Sequence, residues 1–121
     1  MKTVLVIDGD EAILMLLEMI LRRSNNTVIR ARTGMEGLEI AHSQRPDIIF
    51  LDDRLAHMSS EEVCLRLRND PHTQHIPIIL TSTAMIQDGG DYARRVGADA
   101  FLPKPFQTKQ VEAVLSGVLQ T

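Results

Sequence analysis

The chain has 121 residues, of which 44% are hydrophobic and 24% charged, with a net charge of -3; these are the proportions of one ordinary folded domain with a real core. There is no long basic run, and aromatics make up only 3%, so neither phosphate neutralisation nor base stacking is provided for and direct nucleic-acid binding is not expected. The single Cys64 excludes an intramolecular disulfide and fits a reducing cytoplasm, while no apolar stretch reaches membrane-spanning length and the Met1 end reads as a strand rather than a signal peptide.

Thr3 to Ile7 is the first predicted strand. A helix follows over roughly Glu11 to Arg23, with Ile13, Leu16, Leu17, Ile20 and Leu21 forming one apolar stripe. Asp10 is placed as its N-cap. Ser24-Asn25-Asn26 is a turn, and Thr27 to Ala31 a second, shorter strand. Helix two covers roughly Met35 to Ser43, with Leu38 and Ala41 inward; Thr33 caps it, with Glu36 three residues on. Pro46 breaks the chain before a third strand. Ser59 or Ser60, followed by Glu61 and Glu62, starts helix three, which Asn69-Asp70-Pro71 ends. Pro77 precedes strand four. Gly89 and Gly90 fall in the first turns of helix four, where two glycines cost roughly 2 kcal/mol relative to alanine. A short or frayed helix to about Val96, closed by Gly97, is the expectation. Ala100 to Leu102 is strand five. Helix five runs roughly from Thr108 to Leu119, with Val111, Val114, Leu115, Val118 and Leu119 as its stripe. Strand then helix, five times, with short connections, specifies an α/β fold: a parallel sheet wound with helices on both faces.

The chemistry collects at the strand ends. Ile48-Ile49-Phe50-Leu51 is an unbroken apolar run, as in a strand buried on both faces, and it stops at Asp52-Asp53. The first strand ends in Asp8, then Gly9-Asp10. The fourth ends in Thr81-Ser82-Thr83, and Lys104 follows the fifth. In open parallel sheets, ligands bind at this carboxyl edge. With strand order 2-1-3-4-5, the first and third strands are neighbours and Asp8 lies close to Asp52. Paired carboxylates repel unless a cation lies between them or one is protonated. Mg²⁺ suits such a pair, Lys104 adds a point charge, and Ser82 offers a hydroxyl to a phosphoryl oxygen. The set reads as a phosphoryl-transfer site with an aspartate nucleophile.

Three segments carry a family resemblance: Val6-Ile7-Asp8, Pro46-Asp47-Ile48-Ile49-Phe50-Leu51-Asp52, and Gly97-Ala98-Asp99-Ala100-Phe101-Leu102-Pro103-Lys104-Pro105-Phe106. Through them the whole chain, residues 1–121, resembles the receiver domain of bacterial response regulators of the chemotaxis-regulator type. The resemblance implies a five-stranded flavodoxin-like fold that acts in a two-component phosphorelay. It implies that Asp52 is the phosphoacceptor, charged by a histidine kinase or phosphotransfer protein in a Mg²⁺-dependent reaction. Asp8 and the backbone carbonyl of Arg54 help hold the metal, Ser82 and Lys104 bind the phosphoryl group, and Ser82 with Phe101 forms the switch. The Lys104-Pro105 peptide is implied to be cis, aiming the lysine into the site. Output passes through helix four, strand five and helix five to a protein effector or a second copy, because no further domain follows helix five.

The sequence departs from the family at Gly9, where a second acid is usual, so Mg²⁺ binding is expected to be weak. Asp10, one place on, is a candidate replacement as well as a cap. The loop usually of Pro-Gly-Met-Asp-Gly type reads Ala56-His57-Met58-Ser59-Ser60. Arg54 lies over the phosphoryl position or pairs with Asp53. Gly9 and Arg54 motivate an alternative reading, a degenerate receiver that docks or dimerises constitutively without phosphorylation. A turnover phosphatase would need a general acid and a substrate cap. Asp10 is the only candidate acid and no insertion is large enough for a cap, so a switch rather than an enzyme is expected. Strand alternation turns Asp53 away from Asp52's side. Thr81 and Thr83 compete with Ser82, which the count from Pro77 in the family pattern selects. Phe101 is otherwise simply core. His72 and His75, without a Cys or another close His in the sequence, read as solvated, and His57 as a loop residue.

Overall fold

The alternation of apolar strands and amphipathic helices resolves, in a computed structural model that describes residues 2–119, into a five-stranded parallel sheet. In chain order the elements are β1 (Thr3–Ile7), α1 (Glu11–Arg23), β2 (Thr27–Ala31), α2 (Gly34–Gln44), β3 (Ile48–Asp52), α3 (Ser60–Arg68), β4 (Ile78–Ser82), α4 (Gly89–Val96), β5 (Ala100–Pro103) and α5 (Thr108–Leu119). The strand order is β2-β1-β3-β4-β5. Register aligns Ile7 with Leu51 and Asp52 with Thr81, so β1 and β3 end side by side. None of the described helices is long and apolar enough to cross a membrane.

Period-two alternation divides the sheet into two cores. Val4, Val6, Ile48, Phe50, Ile79 and Leu102 face α1 and α5. Leu5, Ile7, Ile49, Leu51, Ile78 and Leu80 face α2, α3 and α4. In α1 the buried residues are Leu14, Leu17, Ile20 and Leu21. The expected stripe is thus corrected at its start: Ile13 and Leu16 are only partly buried, because the helix is rotated to put Leu14 on the sheet. Along α5, Val111 and Leu115 are buried, with Val114, Val118 and Leu119 packed partly at the rim.

Caps set the helix ends. The Thr33 hydroxyl accepts from the Glu36 N–H at 3.1 Å, and Glu36 reaches back to the Arg32 N–H at 2.7 Å. That reciprocal pair extends α2 one residue beyond its expected start, to Gly34. Ser59, rather than Ser60, caps α3, its hydroxyl accepting from the Glu62 N–H. Gly97 closes α4 at φ 107°, where its N–H donates to the Ala93 and Arg94 carbonyls; a side chain there is strained.

The glycines of α4 have different roles. Asp88 caps this eight-residue helix through the Asp91 N–H, so Gly89 and Gly90 occupy its first turn. A Cβ on Gly89 would overlap the Phe101 ring, whereas one on Gly90 would meet only the ends of Arg94 and Asp88 at 3.5 and 3.7 Å. Gly89 is therefore there to let β5 and α4 approach, and is not merely a weak helix former. Gly90→Ala is expected to stabilise the protein by roughly 0.5–1 kcal/mol. Gly89→Ala is expected to destabilise it by about 2 kcal/mol through overpacking. Urea midpoints of the two variants check both signs.

Candidate functional site

Asp8 continues the Val4-Val6 face of β1, Asp52 the Ile48-Phe50 face of β3, and Lys104 the Leu102 face of β5. Alternation therefore aims all three at the same side of the sheet's carboxyl edge. The Lys104 Nζ donates to Asp8 Oδ2 at 2.8 Å and to Asp52 Oδ1 at 3.1 Å. All three side chains are at least nine-tenths buried. The Lys104-Pro105 peptide is cis.

The electrostatics follow from this burial. Removal from water, then the charge of Asp8, hold the Asp52 carboxyl above its ordinary pKa, against the pull of Lys104. Burial works against the Lys104 charge, but its hydrogen bond to Asp8 and the charge of Asp52 together outweigh it, so the ammonium is stabilised above its usual range. One ammonium thus serves two carboxylates that would otherwise repel. The Asp8 Oδ1 accepts from the Asp10 N–H at 2.9 Å, and Asp52 Oδ1 also accepts, at 3.3 Å, from the Arg54 N–H.

The other sequence candidates take separate places. Asp10 is the N-cap of α1, its Oδ1 accepting from the Ala12 N–H at 2.9 Å. Ser82 is fully buried at the end of β4, where its Oγ accepts from the Ala84 N–H at 3.0 Å. The Ser82 carbonyl accepts from the Lys104 N–H at 2.7 Å, while no hydrogen bond among the described residues joins the Ser82 hydroxyl to Asp52 or to the Lys104 ammonium. Thr81 is also buried, with its hydroxyl 3.4 Å from the Leu51 carbonyl; Thr83 is exposed. Phe101 is half-buried and meets Tyr92 edge-on, with centroids 6.0 Å apart. It lines an open cleft of about 580 Å³ between the β4–α4 loop and β5, together with Ala84, Gly89 and Lys104. His57 is an exposed loop residue at φ 70°.

Two expectations need correction. Arg54 makes no ion pair with Asp53 among the described residues. Asp53 faces the opposite side of the sheet, where its Oδ2 accepts from the Tyr92 hydroxyl at 2.9 Å and its buried Oδ1 has no protein partner. This bond ties the residue next to Asp52 to α4. Burial, then the bond to the Asp53 carboxylate, raise the Tyr92 pKa. His72 is likewise not simply solvated: its ring meets His42 edge-on at 4.7 Å. Sequence reading missed Tyr92 and His42 because both contacts join helices to distant loops without any local spacing signal. Arg32 was missed in the same way; its Nη2 donates to the Gly9 carbonyl at 3.1 Å, beside the position where a second acid is absent.

Comparison with known proteins agrees with this geometry. The sequence model of the family described as "Response regulator receiver domain" matches residues 4–116. The polar-differentiation response regulator DivK of Brucella anthropi is 29% identical over 116 residues, covering 95% of this chain and 94% of that protein. The alkaline phosphatase synthesis transcriptional regulatory protein PhoP of Bacillus subtilis is 34% identical over 119 residues; the match spans 98% of this chain but 49% of PhoP. Among solved structures, the chemotaxis protein CheY4 of Vibrio cholerae superposes with a TM-score of 0.89 at 26% identity, over 98% of each chain. Sequence, sheet order and edge carboxylates lead to one conclusion: the chain belongs to the response regulator receiver domain family.

Proposed function

We propose that the chain works, over residues 1–121, as a phosphoryl-accepting switch of a two-component system with Asp52 as the phosphoacceptor. The observation that carries this reading is the buried group at the sheet edge, where one ammonium is shared between Asp52 and Asp8 at 3.1 and 2.8 Å. A carboxylate held so is desolvated, pre-aimed and next to a fixed cation, as a nucleophile for phosphoryl transfer requires. The donor is the phosphohistidine of a histidine kinase or phosphotransfer protein. A bond forms between an Asp52 oxygen and phosphorus as the bond from phosphorus to the donor imidazole nitrogen breaks, leaving an acyl phosphate and a free imidazole. Lys104 then meets a phosphoryl oxygen. Since the phosphoryl group ends on the protein's own side chain, the chain is a switch rather than a turnover catalyst.

The donor set fits Mg²⁺: Asp8 and Asp52 offer hard carboxylate oxygens that would hold it, with the Arg54 carbonyl as a third oxygen donor. When bound, Mg²⁺ supplies the positive charge that lets an anionic phosphoryl group approach two carboxylates. Asp10 is committed to its cap, and with glycine at position 9 the metal is held weakly.

The switch follows from what Ser82 now holds. Its hydroxyl oxygen accepts from the Ala84 N–H while its hydrogen stays free to donate, so a hydroxyl that turns to a phosphoryl oxygen carries Ala84 with it and draws the β4–α4 loop toward Asp52. Phe101, beside the cleft under that loop, gains room to turn inward, and the α4–β5–α5 face changes for a protein effector or a second copy. The buried thiol of Cys64, pushed up to about 11 by burial, is inert and compatible with a cytoplasmic setting.

Exposure to Mg²⁺ and beryllofluoride, read by amide hydrogen exchange, tests this. Protection is expected to change in residues 83–92 and 100–103 in the wild type and to stay unchanged in Asp52→Asn. Unaltered exchange there with the mimic bound would refute the switch.

A further inference from the structure

On the surface served by α2 and the α3–β4 turn, away from the carboxylate edge, folding assembles three metal-ligating side chains from separate parts of the chain. His42 sits in the last turn of α2, and Asp70 and His72 flank Pro71 in the turn. One donor atom from each lies within 4.8 Å of the others. The group is held in place from several directions. The His42 Nδ1 is 2.6 Å from Asp70 Oδ2, and Asp70 Oδ1 accepts from the His72 N–H at 2.9 Å. The two imidazoles meet edge-on. Next to His72, Thr73 is buried, its hydroxyl donating to the Leu67 carbonyl at 2.7 Å, so the backbone carrying His72 is anchored. Among the described residues no lysine or arginine is ion-paired with Asp70. Arg66, across the same hollow, is turned to Glu62 at 2.7 Å.

Two imidazoles and one carboxylate, open to water on the remaining side, suit a borderline divalent ion better than Mg²⁺, which prefers an all-oxygen octahedron. We propose that His42, Asp70 and His72 form a surface site for a divalent transition-metal ion such as Zn²⁺, separate from the Asp52 site. An ion there links α2 to the turn that leads into β4, the strand that ends in Ser82.

The test is titration of the full chain with Zn²⁺ in saturating Mg²⁺ by calorimetry, with Co²⁺ absorption reporting the ligand geometry. One equivalent is expected to bind in the micromolar range. His42→Ala, His72→Ala and Asp70→Asn should each weaken binding by at least about tenfold, with a matching loss of the Co²⁺ visible bands. Asp52→Asn should bind as the wild type does. His42 is exposed, so its replacement leaves the fold intact. Absence of saturable binding, binding unchanged in the His42→Ala/His72→Ala double variant, or loss of binding in Asp52→Asn would overturn the proposal.

Discussion

Lys104→Met is expected to lose about 3 kcal/mol of folding stability at neutral pH, the scale seen when one partner of a buried ion pair is removed. The loss comes from what remains: Asp8 and Asp52, both buried, without the ammonium that stands within 3.1 Å of each. Its pH dependence has a definite sign. Asp52 already titrates above the ordinary carboxylate range through burial and the Asp8 charge, and Lys104 is the main opposing pull. Without Lys104 its folded pKa rises further. A group with a raised folded pKa contributes stability that is fully present below the unfolded value, about 3.9 for Asp. That contribution is lost as pH rises through the folded pKa. The variant therefore falls furthest behind the wild type at neutral and alkaline pH, and the gap narrows on acidification. Mg²⁺ should restore part of the loss. Urea midpoints at several pH values, with and without Mg²⁺, check this; a deficit independent of pH and metal would place the role of Lys104 in packing alone.

Gly9→Asp is expected to tighten Mg²⁺ binding roughly tenfold, since affinity for hard cations rises with the count of charged oxygen ligands. The backbone allows it. Gly9 is exposed, it is not in a left-handed conformation, and a Cβ there meets only the Arg32 carbonyl at 3.8 Å. Glycine at this position is thus a choice of ligand rather than a requirement of the turn. The Arg32 guanidinium on the Gly9 carbonyl will compete for the new carboxylate, so Gly9→Asp/Arg32→Ala should gain more than Gly9→Asp alone. Calorimetric Mg²⁺ titration of the three proteins reads this directly. Equal affinities would mean that the metal is held without any residue at position 9.

The parts of this molecule that were legible in its sequence are those written in local periods. Strand runs such as Ile48-Ile49-Phe50-Leu51 and the helix stripes fixed the element order, and the positions of Asp8, Asp52 and Lys104 at strand ends put them at one edge of the sheet. Ser59 and Gly97 marked helix ends through their own hydrogen-bonding and backbone chemistry. What stayed hidden depends on rotation about a helix axis or on contacts across the sheet. Leu14 replaced Ile13 in the core because several apolar neighbours in α1 allow more than one stripe. Gly89 looked like a weak point until Phe101 was seen against it, and nothing near Asp53 in sequence announces Tyr92. The His42 and His72 pair spans an intervening strand and helix, so no motif spacing could reveal it.

The central claim, that Asp52 is a live phosphoacceptor, is tested most directly by intact-mass measurement after incubation with a small phosphodonor in Mg²⁺. One phosphoryl group per chain is expected in the wild type, with none in Asp52→Asn and none when the metal is chelated. A wild-type protein that stays unlabelled at millimolar donor and Mg²⁺, or one whose label persists in Asp52→Asn, would contradict it. The first of these outcomes would favour constitutive docking without phosphorylation.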